Sequence, residues 1–273
     1  MDKSRNLKKY ERNLTKRELS EGTKELYLRQ AKELLVFLEG RPVTKKRMIA
    51  YKDYLCSKGL AVTTMNTYII AVNSYLRFAG YENSRLKTKR IQKRRSLDHV
   101  LSIEEYKILL SYAKESGRKK YYYIMKTLAQ TGIRVSELKF FTVEALAVRV
   151  ISVNNKGKVR EIYLPDNLIL ELKTYCDMEG RESGVIFKGN TQNSISRIAV
   201  YKMLVHMADM TGISKDKVHP HNFRHLFAIT YMERYSNLFE LADILGHSSL
   251  EITRIYTATT AEEKRKKMDG LGL

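Results

Sequence analysis

Apolar residues in the first third of the chain recur at helical spacing. Tyr27, Ala31, Leu34, Leu35 and Leu38 share one helix face ahead of Gly40, and Met65, Tyr68, Ile69, Val72, Leu76 and Ala79 share another ahead of Gly80. Between them Thr44 is placed to cap a helix carrying Met48, Tyr51 and Leu55. The spacing predicts a small all-helical domain over residues 20–83, with residues 1–19 as a basic tail in front of it.

The pattern then changes. Ser84 to Arg95 reads SRLKTKRIQKRR, in which only Leu86 and Ile91 are apolar, and this predicts an exposed basic linker over residues 84–97. Ser102-Ile103-Glu104-Glu105 resembles a capping box, so a second domain is expected from residue 98 onward. Within it, Tyr121–Gln130 is an apolar helix closed by Thr131-Gly132, and a new helix starts near Arg134 with Val135 and Leu138 inward. Leu146–Val153 and Val159–Leu164 are rich in Val and Ile and flank Asn154-Asn155-Lys156-Gly157, which predicts a β-hairpin. Val185–Phe187 is a candidate third strand. Helices dominate from Ser194 onward, and Gly246 ends one carrying Leu238, Leu241, Ile244 and Leu245. The fold class is therefore mainly α with a small β-sheet, an all-helical N-terminal domain followed by an α+β domain.

Charge adds a partner class to this picture. The 273 residues hold 50 Lys and Arg against 30 Asp and Glu, a formal charge of +20. Through Arg95 the count is 24 against 9, and after it 26 against 21, so the two parts carry +15 and +5. Such an excess points to a polyanion, most commonly nucleic acid. No apolar run approaches the roughly 18 residues of a membrane span, and the first 21 residues lack the apolar core of a signal peptide. The two cysteines, Cys56 and Cys176, form neither a C-x-x-C pair nor a framework, which fits a reducing, cytoplasmic setting.

Three segments carry candidate chemistry. In Thr131-Gly132-Ile133-Arg134-Val135-Ser136-Glu137-Leu138, Glu137 lies one turn beyond Arg134 and is placed to brace its guanidinium. In His219-Pro220-His221-Asn222-Phe223-Arg224-His225, Pro220 suits the first turn of a helix on which His221 and Arg224 share a face. Leu245-Gly246-His247-Ser248 leads to Thr253-Arg254-Ile255-Tyr256, with Tyr256 nine residues after His247. Taken singly, each feature has an ordinary structural explanation. A zinc site is disfavoured because neither a nearby cysteine nor an H-E-x-x-H pattern accompanies the histidines.

Their combination and order resemble the tyrosine recombinases, the phage-integrase and Xer-type site-specific enzymes. TGIRVSEL resembles that family's first arginine box and HPHNFRH its H-x-x-R box. LGHSSLEITRIYT resembles the stretch with its last histidine and nucleophilic tyrosine, and Lys156 in NNKGKVREIYLP matches its hairpin lysine. The resemblance implies a helical core-binding domain, a catalytic domain and strand exchange on double-stranded DNA by a homotetramer, without a membrane. It assigns Tyr256 as nucleophile, Arg134 and Arg224 as phosphate ligands, His221 as base or proton shuttle, His247 as a phosphate donor and Lys156 as general acid. Lys158 competes with Lys156 for the last role, and Glu137 supports Arg134. Candidate DNA contacts are Lys45, Lys46 and Arg47, then Lys87, Lys89, Arg90, Lys93, Arg94 and Arg95 in the linker, and Lys158 and Arg160 on the hairpin.

Elementary chemistry supports this assignment. Cutting and rejoining a strand without hydrolysis needs an enzyme nucleophile that stores the phosphodiester as an ester, and a phenol serves because phenolate departs readily on return. Charge gathering on the phosphate oxygens suits planar guanidiniums. No metal or other cofactor is called for, since the cations are side chains and no Asp/Glu cluster stands ready for Mg²⁺. Two rivals remain at this stage, an inactive DNA-binding regulator and a type IB topoisomerase-like enzyme. The residues after Tyr256, 257–273, are expected to be helical to about Lys267 and to dock either on a neighbouring subunit or on their own domain.

Overall fold

The computed structural model describes residues 3–90, 99–155, 158–190, 193–246, 249–257 and 269–270. The chain divides into two compact units, Met1–Arg94 and Arg95–Leu273.

The first unit contains α1 (Lys3–Lys16), α2 (Glu21–Leu38), α3 (Lys45–Ser57) and α4 (Val62–Phe78). Its core holds the predicted stripes: Ala31, Leu34 and Leu38 from α2, Met48, Tyr51 and Leu55 from α3, and Met65, Ile69, Val72 and Leu76 from α4. Thr44 caps α3, its side chain accepting from the Arg47 N–H. The N-terminus differs from the expected tail. Leu7, Tyr10 and Leu14 recur at helical spacing among the basic residues of α1, and Tyr10 and Leu14 are fully buried in the same core. Tyr10 meets Tyr75 edge-on with ring centres 5.2 Å apart, a favoured aromatic geometry.

The linker also departs from expectation at its start. Leu86 is buried in the core of this unit, and the backbone around it is fastened to α4. Asn73 accepts from the Leu86 N–H and donates to the Leu86 carbonyl, each at 2.8 Å, and Asn66 does the same for Lys89 at the same distances. The match is geometric. Seven helical residues rise about 10.5 Å, and three extended residues span about 10 Å, so two asparagines two turns apart meet residues 86 and 89. Lys45 and Lys52 of α3 donate to the carbonyls of Arg85 and Lys87.

The second unit opens with α5 (Ile103–Glu115), and the expected capping box is present. Ser102 Oγ accepts from the Glu105 N–H at 3.1 Å, and Glu105 accepts from the Ser102 N–H at 2.9 Å. Next come α6 (Lys119–Thr131), 3₁₀ turns at Val135–Phe140 and Glu144–Ala147, and the hairpin of β1 (Val150–Asn155) and β2 (Lys158–Tyr163). The strands pair antiparallel, from Val150 with Tyr163 to Asn155 with Lys158. Leu146, expected in the first strand, instead belongs to the preceding 3₁₀ turn. Val185–Phe187 forms only an isolated bridge between Val185 and Thr142.

After the hairpin follow α7 (Asp166–Met178), α8 (Arg197–Thr211), α9 (Pro220–Tyr235), α10 (Leu238–Leu245), α11 (Leu250–Thr253) and a 3₁₀ turn, Arg254–Thr257. Leu128, Phe141, Leu172, Tyr175, Phe187, Leu204 and Phe223 lie in one apolar core, which fixes α6 and α9 side by side. The expected helix to Lys267 lies outside the described residues.

Candidate active site

The turn after α6, strand β2, the start of α9, the end of α10 and the Arg254–Thr257 turn build the site. Helix α6 ends at Gly132, whose φ of +59° turns the chain sharply and delivers Arg134 to the head of the Val135–Phe140 turn. Glu137, one turn on, accepts from the Arg134 N–H at 2.8 Å and from its guanidinium at 3.2 Å. Helix α9 begins at Pro220, so His221 and Arg224 sit in its first two turns. Arg134, His221 and Arg224 line one cleft of about 990 Å³, with Ser136, Arg197 and Tyr201 on its walls.

The arginines are held mainly by backbone carbonyls. Arg224 is 2% exposed and donates to the Gly132 carbonyl at 2.8 Å and the Leu245 carbonyl at 2.5 Å. Arg134 reaches the Gly246 carbonyl at 3.2 Å. Arg160 of β2 donates to the Ile244 carbonyl and forms a buried ion pair with Glu137. Guanidiniums from three separate segments thus meet three successive carbonyls where α10 ends. A helix C-terminus leaves carbonyls without intrahelical partners and carries partial negative charge, so it attracts cations. Burial above all, and then the charges of Arg134 and Arg160, lowers the Arg224 pKa to about 10, which still leaves it protonated near neutral pH.

Arg160 corrects one sequence expectation. It was a candidate DNA contact, yet it is only 9% exposed and its guanidinium is engaged with Glu137 and Ile244. The signal was available in the strand alternation, since Arg160, Ile162 and Leu164 occupy every second position and all three are buried.

The tyrosine meets a histidine that was not among the candidates. Tyr256 Oη lies 2.6 Å from Nδ1 of His225, so His225, and not His221, is the histidine at the phenol. The His221 ring instead meets the His225 ring, with centres 4.2 Å apart. His225 stands four residues after His221, a spacing that places both on one face of a helix; the H-x-x-R pattern drew attention away from it. Tyr256 is 8% exposed among Ala228, Leu241 and Leu245. Burial raises its phenol to about 12, against an opposing pull from Arg224. Burial, then the charge of Arg224, His219 and Arg134, holds His221 below its ordinary range.

Among the other candidates, Lys45 and Lys46 are exposed at the start of α3, although Lys45 donates to the Arg85 carbonyl and Arg47 to that of Pro42. Lys87, Lys89 and Arg90 are exposed on the fastened segment. Lys158 occupies the first position of β2. Lys93, Arg94, Arg95, Lys156 and His247 lie outside the described residues. Among the described residues, no three His, Cys, Asp or Glu side chains are grouped to hold a metal ion, and no helix is long and apolar enough to cross a membrane.

Comparison with known proteins gives the same organisation. The profile of the phage integrase N-terminal SAM-like domain matches residues 7–83, and that of the phage integrase family matches residues 99–263. Tyrosine recombinase XerA of Pyrococcus furiosus is 29% identical over 245 residues, covering 86% of this chain and 83% of the relative. Tyrosine recombinase XerD of Staphylococcus saprophyticus is 29% identical over 271 residues, covering 91% of each. The fold is similar to that of a lambda integrase dimer bound to a COC′ core site, with a TM-score of 0.76, 20% identity, and coverage of 93% of this chain and 77% of that one. The chain belongs to the phage integrase family, the tyrosine recombinases.

Proposed function

We propose that this chain is a site-specific DNA recombinase that cuts and rejoins strands through a 3′-phosphotyrosyl intermediate, with Tyr256 as nucleophile. The observation that carries the reading is the convergence of Arg134, His221 and Arg224 on one cleft, with the Tyr256 phenol hydrogen-bonded to the same helix, α9. Two guanidiniums held in advance are suited to a phosphate that gains charge during attack, because no reorganisation is needed at the moment of reaction. His247 would donate to the same phosphate, and Lys156 or Lys158 would protonate the departing 5′-oxygen.

The substrate is double-stranded DNA, and the charge of +15 through Arg95 supplies most of the sequence-independent attraction. Lys87, Lys89 and Arg90 follow a backbone fixed by Asn66 and Asn73, so they present charge along a set path. A homotetramer on paired sites, acting in the cytoplasm, completes the reading. Its biological outcome is integration, excision or inversion of a DNA segment.

The test uses a recombination site selected by binding from random duplexes, made as a suicide substrate with a nick near the cleavage point. Wild-type protein should form a covalent adduct, and Tyr256→Phe should bind equally well and form none. Arg134→Ala and Arg224→Lys should bind with near-normal affinity and cleave poorly. An adduct with Tyr256→Phe would overturn the assignment of the nucleophile. Relaxation of site-free plasmid without recombinant product would mark a topoisomerase instead.

A further inference from the structure

We propose that His225 is a catalytic residue of strand cleavage, its Nδ1 taking the phenolic proton of Tyr256 as Oη attacks phosphorus. The proposal rests on Tyr256 being the nucleophile. A phenol must lose its proton as it forms the ester, and this one is enclosed by Ala228, Leu241 and Leu245, where solvent is poorly placed to receive it. Its burial keeps it protonated well above neutral pH, so cleavage needs a base within reach. His225 Nδ1 stands at 2.6 Å, inside the range for direct transfer. His221, the base or proton shuttle that the resemblance implies, is in contact with the His225 ring.

Helix geometry explains the arrangement. Arg224 and His225 are adjacent on α9 and diverge by about 100° around its axis. Arg224 turns toward Gly132 and Leu245, while His225 turns toward the Arg254–Thr257 turn that carries Tyr256. One helix therefore presents a phosphate ligand and the base for the nucleophile from neighbouring positions. His221, one turn earlier, lies edge-on to the His225 ring at an interplanar angle of 66° and also faces the cleft.

The proton balance closes. The Tyr256 O–H bond breaks and its proton moves to His225, while an Oη electron pair forms the bond to phosphorus. The bond from phosphorus to the 5′-oxygen breaks, and that oxygen takes a proton from the lysine general acid. In the return step the 5′-hydroxyl gives its proton back to the lysine as it attacks. The bond from phosphorus to Oη then breaks, and the phenolate recovers its proton from imidazolium. His225 must enter the cleavage step neutral at Nδ1.

The test is single-turnover adduct formation on the nicked substrate with saturating full-length protein. His225→Ala and His225→Asn should each slow cleavage by about 10²–10⁴, the usual contribution of a general base, with DNA affinity unchanged. Asparagine keeps a hydrogen-bonding group near the position of Nδ1 but cannot accept the proton, so it separates holding the phenol from deprotonating it. Placing a more acidic fluorinated tyrosine at position 256 should restore much of the lost rate in His225→Asn. A 5′-bridging phosphorothiolate, whose sulfur leaves without protonation, should not. Cleavage by His225→Asn within threefold of wild type would overturn the proposal, as would failure of the fluorinated tyrosine to raise its rate. If Tyr256→Phe still forms the adduct, the assignment of the nucleophile fails first.

Discussion

Replacing Arg160 with Met tests whether the site is assembled around the Arg160–Glu137 pair. The side chains of Arg160 and Glu137 are 7% and 4% exposed, so water cannot readily take the place of a missing partner. Removing one member of such a pair typically costs 3–5 kcal/mol, because the other charge stays buried. Two contacts reduce the loss, since Glu137 keeps the Arg134 N–H at 2.8 Å and the Arg134 guanidinium at 3.2 Å. Met also preserves most of the packing of the arginine arm. The expected destabilisation is therefore at the low end, about 3 kcal/mol. For a unit of roughly 180 residues, 1 kcal/mol moves the midpoint by about 2–4 °C, so a fall of about 6–12 °C is expected.

Calorimetry of the full chain is the appropriate assay. Unfolding enthalpy scales with length at about 0.7 kcal/mol per residue, so the transition of the second unit should carry about twice the heat of the first. Only the larger transition should move. Pairing the change with Glu137→Leu removes both charges of the pair, and the double variant should be at least 1 kcal/mol more stable than the two single effects predict by addition. A shift below about 2 °C for Arg160→Met, or strict additivity in the double variant, would refute the reasoning.

Three further outcomes follow from the same contacts. Gly246→Ala drives a Cβ into the Arg160 side chain at a φ of +60°, and should destabilise by about 1–2 kcal/mol from backbone strain alone; adding Arg160→Ala should remove the clash, so calorimetry of the pair should be less than additive. Replacing Asn66 and Asn73 together by Ala removes four hydrogen bonds, and a net loss of about 2 kcal/mol should speed trypsin cleavage after Lys87, Lys89 and Arg90 about 30-fold under native conditions. An unchanged cleavage rate would mean that the asparagines do not hold the segment. His219 and His221, both lowered chiefly by burial, bind protons less readily when folded than when unfolded. Their contribution to stability is complete above about pH 6.5 and is lost as pH falls through the folded values, so chemical denaturation between pH 7.5 and 5 should show a smaller decline for His221→Asn than for wild type.

Much of this was legible in the chain. The stripes of α2 and α4 and the capping box at Ser102 are local patterns, the first set by the helical period and the second by residues three apart. Motif order placed Arg134, His221, Arg224 and Tyr256 in one family. What stayed hidden depended on partners far along the chain. Basic residues obscured Leu7, Tyr10 and Leu14 in α1, and SRLKTKR reads as a solvated spacer unless Asn66 and Asn73 are known to face it. Arg160 reads as a candidate DNA contact from its place on a basic hairpin, although its alternation with Ile162 points inward.

The carbonyl group at 244–246 also explains why the site retains its charge. A guanidinium positioned by carboxylates is largely neutralised before phosphate arrives, whereas one positioned by carbonyl dipoles keeps its full formal charge. Among the described residues, Arg134 and Arg160 share one buried carboxylate, Glu137, and the other hydrogen bonds of these two and of Arg224 go to the carbonyls of Gly132, Ile244, Leu245 and Gly246. Among the described residues these three cations face one anion, a formal excess of two positive charges, with Arg134 and Arg224 lining the cleft. Those acceptors lie 21 to 112 residues from their donors, so the excess is a property of the tertiary fold. A second carboxylate at this position would hold the arginines just as firmly and would weaken the attraction for phosphate on which the proposed function depends.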